Sequence, residues 1–113
     1  MKILITGYTG YIGSHILNFL TRKKEFSKII CLGRKRPFKS KKIKFLKRNL
    51  NKLFLIKEKE IDIILHIAGA NEVISKDENL AYQNTFIITQ NLIKSLKKTK
   101  INKFIYFSTA QVY

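Results

Sequence analysis

Three glycines, Gly7, Gly10 and Gly13, stand between a short β-branched run and a stretch with helical spacing, and no other feature limits the fold so tightly. Upstream, Lys2 to Thr6 (KILIT) is mostly apolar and reads as a strand buried on both faces. Downstream, from Tyr11 to about Lys24, Ile12, Ile16, Leu17, Phe19 and Leu20 recur at helical intervals, with basic residues gathered at the end that suits the helix dipole. Each glycine then has a definite role. Gly7 permits the tight turn off the strand, Gly10 allows backbone to approach a bound group, and Gly13 allows the helix to pack closely on the sheet. The helix N-terminus supplies unpaired N–H groups and a positive dipole end, which suit a phosphate. Such glycines also serve ordinary turns, but a strand before them and a helix after them are what a pyrophosphate-binding loop requires. Gly7, Thr9, Gly10, Tyr11, Ile12 and Gly13 are accordingly the first candidate cofactor-binding residues.

The remaining chain continues the alternation. Lys28 to Leu32 reads as a second strand, followed by a basic loop from Gly33 to Lys42 that holds the only proline, Pro37. Ile43 to Lys47 is a weaker strand candidate, and a short helix is expected around Leu50 to Lys57. Asp62 to Ile67 is a strong strand candidate. Asp77 to Lys98 carries a long helix with Leu80, Phe86, Ile87, Leu92, Ile93 and Leu96 available to pack inward, and Phe104 to Ser108 makes a fifth strand. Five strands joined by right-handed crossovers predict an α/β fold, a doubly wound parallel sheet of Rossmann type in the order 3-2-1-4-5.

A chain of 113 residues is the size of one domain with one modest core, so residues 1–113 are expected to form a single dinucleotide-binding domain. No run of about 18 apolar residues exists and no charged leader precedes an apolar stretch, so a soluble cytoplasmic protein without membrane contact is expected. The single cysteine, Cys31, sits within Ile29-Ile30-Cys31-Leu32 and reads as a buried, inert thiol. The formal charge of +16 admits nucleic acid, anionic membrane or phosphorylated small molecules as partners. Its lysines are spread along the chain and no nucleic-acid-binding signature accompanies them. The informative cluster is Arg34-Lys35-Arg36 with Lys39, Lys41, Lys42 and Lys44, which lies mainly in one loop and can face a phosphate. No Cys/His/carboxylate cluster suggests a metal, and His15 and His66 read as packed and satisfied.

Ile5-Thr6-Gly7-Tyr8-Thr9-Gly10-Tyr11-Ile12-Gly13-Ser14-His15 resembles the N-terminal signature of the extended short-chain dehydrogenases, the NAD(P)-dependent epimerase/dehydratase family acting mostly on nucleotide sugars. Leu65-His66-Ile67-Ala68-Gly69-Ala70 is similar to that family's segment after strand four, whose backbone lines the cofactor. Phe107-Ser108-Thr109-Ala110-Gln111-Val112-Tyr113 resembles its segment ending strand five. The resemblance implies that Ile67, Ala68 and Gly69 line the cofactor, and that Thr109 holds and polarises the substrate as a tentative catalytic residue. A strand-end threonine bonding locally to backbone is the plainer alternative for Thr109. Asn49-Leu50 stands where the family usually has an aspartate and an apolar residue near the adenine, and an amide oxygen can still accept the adenine amino hydrogen. Asn84 resembles the family's asparagine on the fourth helix, one residue out of register.

Cofactor choice falls where strand two ends, because an acid there accepts the ribose hydroxyls of NAD and repels the 2'-phosphate of NADP. Gly33 and Arg34 stand at that place, followed by Lys35 and Arg36, so NADP is favoured over NAD. The resemblance also implies a tyrosine followed four residues later by a lysine, the pair that exchanges protons in the family's chemistry, and no such pair occurs in this sequence. The expectation is therefore an NAD(P)-binding N-terminal portion, incomplete after strand five, that binds cofactor without turnover. A nucleotide sugar is its expected partner once a C-terminal portion is supplied, and the strand-five edge is expected to favour self-association. Two other readings stay open, a non-catalytic NADP-sensing or protein-interaction module and a basic nucleic-acid-binding protein.

Overall fold

The computed structural model describes residues 1–67 and 78–107, with only the backbone described at 78–85. Five strands, β1 (Lys2–Thr6), β2 (Lys28–Gly33), β3 (Ile43–Lys47), β4 (Glu60–His66) and β5 (Lys100–Tyr106), form one sheet in the order β3-β2-β1-β4-β5. Every pairing is parallel, with Ile3 beside Ile29 on one flank and Ile63 on the other. The expected topology is the observed one.

Helices α1 (Tyr11–Thr21) and α2 (Glu78–Ser95) cover opposite faces of the sheet. On the α1 face, Leu17 and Leu20 pack with Ile3, Ile5, Ile29 and Cys31. On the α2 face, Leu92 and Leu96 pack with Leu4, Ile30, Ile64 and Leu50. Alternation along β1 thus sends Ile3 and Ile5 to one layer and Leu4 to the other, which is why the strand is apolar throughout. Cys31 is fully buried and its thiol is pushed up to about 12 by desolvation, in keeping with an inert core residue.

The structure corrects several sequence expectations. No helix forms at Leu50 to Lys57; residues 50–52 turn and 53–58 run without regular structure. Asn49 initiates the turn, its side-chain oxygen accepting the Asn51 N–H at 3.0 Å and its carbonyl accepting the Lys52 N–H at 3.0 Å. Beyond it, Phe54 and Ile56 reach the core while Leu53 and Leu55 are exposed, an every-second-residue pattern that extended backbone presents and a helix does not. The β2-to-β3 and β3-to-β4 crossovers are consequently not helical. Helix α1 stops at Thr21 with Arg22 as its C-cap, short of Lys24. Strand β5 begins at Lys100 and β4 at Glu60, both earlier than periodicity indicates, because the Lys100 N–H bonds the Lys59 carbonyl at 2.8 Å and zips the pair from its start. Ile12, Phe19, Phe86, Ile87 and Ile93, assigned inward by spacing, are exposed, and Ile88 takes an inward place on α2.

The start of the sheet is tied by one carboxylate. Glu58 meets Lys2 at 2.9 Å, Lys44 at 3.0 Å and Lys28 at 3.3 Å, one lysine from each of β1, β3 and β2. Burial alone raises its carboxyl, but the hydrogen bonds from Lys2, Lys44 and Lys28 outweigh this and hold it down at about 2. The Lys2 backbone N–H is also capped, by Asp62 at 2.8 Å.

Candidate functional site

The opposite, C-terminal ends of the strands carry the glycine loop. Gly7 leaves β1 with φ 70°, a backbone conformation that costs other residues a steric penalty. Gly13, in the first turns of α1, sits so close to the loop that a Cβ there would lie 1.9 Å from the Gly7 carbonyl oxygen. Folding alone therefore demands these two glycines. Gly10 is different. It is the N-cap of α1 in extended backbone (φ −77°, ψ 175°), and a Cβ on it would meet only the Gly7 oxygen, at an ordinary 3.7 Å. The helix start has no side-chain cap and no acid in its first turn, and Tyr11 and Ile12 at its head are exposed. Its first N–H groups are thus not claimed by a capping side chain and can take an anion.

At the end of β2, Gly33 is half-buried and Arg34, Lys35 and Arg36 are exposed. The Arg36 guanidinium lies over the Phe45 ring at 5.2 Å, which rests its charge against β3. Tyr8 fills the space between the glycine loop and this strand end. Its ring is almost fully buried, and its hydroxyl donates to the Lys35 carbonyl at 2.6 Å. Desolvation, with a smaller contribution from Cys31, pushes the phenol well above its ordinary range, so it remains a donor at any working pH. A cleft of about 540 Å³ opens between α1 and the loop after β2, walled by Tyr8, Thr9, Ser14, His15 and Phe38. His15 is exposed on this cleft, edge-on to Tyr11 at 4.8 Å, and so is not the packed residue that spacing suggested.

Between β1 and β4 the strand ends are locked together. Thr6 Oγ1 and His66 Nδ1 lie 2.7 Å apart, His66 Nε2 and Thr89 Oγ1 2.9 Å apart, and the Ile67 N–H donates to Thr6 Oγ1 at 3.1 Å. His66 is fully buried, and desolvation lowers it to about 4, leaving a neutral ring with one N–H. It is a packed and satisfied histidine, as expected. Ile67, just past β4, is half-buried on the α1 face. Leu50 packs into the α2-side core while its carbonyl accepts from Asn91 at 2.9 Å, and Asn49 Oδ1 serves the turn. This pair is built into the fold, and Leu50 turns its side chain inward. Ala68, Gly69 and Thr109 lie outside the described residues, as does the side chain of Asn84. Among the described residues no group of three metal-ligating side chains exists, and no helix is long and apolar enough to cross a membrane.

Sequence reasoning overlooked Tyr8 and Glu58. A bulky aromatic inside a glycine loop, and an acid just before β4 with a lysine near the start of each of β1, β2 and β3, are the signals that could have found them.

A parallel sheet in this order with a glycine loop at the head of its first helix defines a doubly wound α/β protein of Rossmann type. The chain belongs to the NAD dependent epimerase/dehydratase family, whose model matches residues 3–113. It is 36% identical over 129 residues to dTDP-D-glucose 4,6-dehydratase of Dictyostelium discoideum, covering 99% of this chain and 30% of that protein. It is 33% identical over 131 residues to UDP-glucose 4-epimerase of Haemophilus influenzae, covering 100% of this chain and 38% of that one. The crystal structure of UDP-glucuronic acid 4-epimerase from Bacillus cereus in complex with NAD superposes with a TM-score of 0.73 at 25% identity, covering 97% of this chain and 40% of that one. The chain thus spans well under half the length of these relatives.

Proposed function

We propose that this chain is the NADP(H)-binding N-terminal portion of a nucleotide-sugar epimerase, dehydratase or reductase. The observation that carries the reading is Gly10. Of the three loop glycines it alone answers no need of the fold, and its bare backbone stands at an uncapped helix start. A Cβ there would obstruct a group arriving from outside, and a pyrophosphate is the group that a helix N-terminus in this fold accommodates. Gly7, Thr9, Gly10, Tyr11, Ile12 and Gly13 would hold the pyrophosphate, while Ile67, Ala68 and Gly69 would line the nicotinamide side.

The preference for NADP rests on Gly33 and Arg34 at the end of β2, where no acid stands to accept the ribose hydroxyls and three exposed cations follow. Such a cofactor supplies reversible hydride transfer, and the sugar nucleotide would sit with one carbon over the nicotinamide. Thr109 is the candidate for orienting that substrate. The sequence holds no tyrosine followed four residues later by a lysine, so this chain by itself binds cofactor without turnover. Asn49 supports the adenine side at most through its remaining lone pair, since the turn already uses the oxygen.

Fluorescence titration of the folded chain with NADPH and NADH tests the reading. Saturable binding of both, tighter for NADPH, is expected. No saturable binding of either by a sample with a cooperative unfolding transition overturns it.

A further inference from the structure

The space beside Gly33 is already taken. A Cβ built on Gly33 would lie 2.8 Å from the Tyr8 hydroxyl oxygen and 3.2 Å from two of its ring carbons. The ring cannot swing clear cheaply, because it is 4% exposed, packed among Ile3, Ile5 and Leu17, and tethered at 2.6 Å to the Lys35 carbonyl. Any side chain at position 33 must therefore expel the ring or push the strand end away. Position 33 is also where an acid would recognise the ribose of NAD. Tyr8 and such an acid exclude each other sterically.

We propose that Tyr8 is the specificity-determining residue of the site: its ring keeps position 33 free of an acid, and its hydroxyl holds the backbone that presents Arg34, Lys35 and Arg36 to the adenosine end of the cofactor. This rests on the reading that the chain binds a dinucleotide. Neither contribution needs Tyr8 to touch the cofactor. The ring acts by occupying volume, and the hydroxyl acts by fixing Lys35 between two exposed arginines. The same ring walls the cleft that Thr9 and Ser14 share with Phe38, so the post-β2 loop and the glycine loop are fixed to each other through one side chain.

The test uses Gly33→Asp, Tyr8→Ala, the double variant and Tyr8→Phe, each measured by urea unfolding and by titration with NADPH and NADH. Gly33→Asp alone is expected to lower the urea midpoint and weaken both cofactors. Adding Tyr8→Ala should restore much of the midpoint, a non-additive recovery, and reverse the preference to NADH by about tenfold or more, roughly the discrimination one charged contact supplies. Tyr8→Phe keeps the ring and loses the tether, so NADPH binding should weaken severalfold with NADH changed less, a split that general loosening of the fold does not produce. Additive midpoints in the double variant, or Gly33→Asp alone as stable as the parent and already NADH-preferring, overturn the proposal. Non-additive midpoints with an unchanged NADPH/NADH ratio also overturn it while leaving dinucleotide binding intact. Failure of the folded parent to bind either cofactor overturns both readings together.

Discussion

Replacing Gly13 by alanine sets two well-known effects against each other. Within a helix interior alanine is favoured over glycine by about 0.8–1.0 kcal/mol, so propensity alone predicts a more stable protein. The structure predicts the reverse. The new methyl would sit 1.9 Å from the Gly7 carbonyl oxygen, 2.7 Å from its carbon and 2.8 Å from the Tyr8 Cα, all backbone atoms that have no rotamer with which to retreat. Relief requires α1 to lift from the loop by more than an ångström, which unseats Leu17 and Leu20 from the core they share with Ile3 and Ile29. Overpacking of this kind costs about 1–3 kcal/mol and more when backbone must move. Taking the upper end and allowing for propensity leaves a net loss of about 2 kcal/mol, or roughly 10 °C in Tm for a domain of this size. Gly10→Ala is the matched control, since its methyl meets only the Gly7 oxygen at 3.7 Å. It should unfold within about 0.5 kcal/mol of the parent yet lose most cofactor affinity. Urea denaturation followed by circular dichroism, paired with NADPH titration, reads both. A Gly13→Ala protein as stable as the parent, or more stable, refutes the close-approach argument, and a Gly10→Ala protein that binds normally refutes the account of the pyrophosphate site.

Other outcomes follow from the same structure. His66 is held near 4 when folded against about 6.5 when unfolded, so the unfolded chain takes up the proton first; stability should be complete above pH 6.5 and fall by about 2–3 kcal/mol toward pH 4, seen as a dropping urea midpoint. Glu58, with a folded value near 2 against 4.5, contributes stability that is present above pH 4.5 and lost as pH falls toward 2; Glu58→Gln should cost about 1 kcal/mol at neutral pH, given the partly exposed lysines, and flatten that lower window. Ile56→Ala should cost about 2–3 kcal/mol whereas Leu55→Ala should stay within about 0.5 kcal/mol, and equal losses would contradict the extended path of that segment. Phe104, Ile105 and Tyr106 are each about two-fifths exposed on the edge strand, so sedimentation should show concentration-dependent association that Ile105→Lys reduces; a parent that stays monomeric at high concentration refutes it.

The sheet order and the glycine loop were legible because each rests on local chemistry repeated in sequence: an apolar run, a turn residue and a helical stripe. Gly7 and Gly13 carried their geometry openly, for only glycine fits a positive φ or a near-contact of backbone with backbone. The segment after Asn49 reads as a helix because Leu50, Leu53 and Phe54 stand at helical spacing, although Phe54 and Ile56 suit an extended path; the Asn49 turn decides between them, and its hydrogen bonds do not show in composition. Helix α2 was placed, but its inward face was drawn too wide, since Phe86, Ile87 and Ile93 are as apolar as Leu92 and only packing distinguishes them. At the candidate site Arg34 was visible by position, whereas Tyr8 was hidden because its partner, Lys35, is 27 residues away and contributes only its carbonyl. Long-range contacts of this sort leave no periodicity behind.

The placement of β1 at the middle of the sheet has a consequence for how the chain is made. Its flank facing β4 finds its partners 60 residues later, as the bond between the Lys2 N–H and Asp62 shows. At a synthesis rate of about 5–20 residues per second, that flank waits roughly 3–12 s after β1 is made before its neighbour exists. During that interval Ile3, Leu4 and Ile5 form an apolar strand of the nascent chain with one side unpaired, so β1, the centre of the finished sheet, is a segment that a ribosome-bound chaperone would shield. Nascent chains stalled before Ile61 should crosslink to such a chaperone through residues 3–5, and chains stalled well beyond Tyr106 should not; equal crosslinking at both lengths would show that pairing with β4 does not end the exposure.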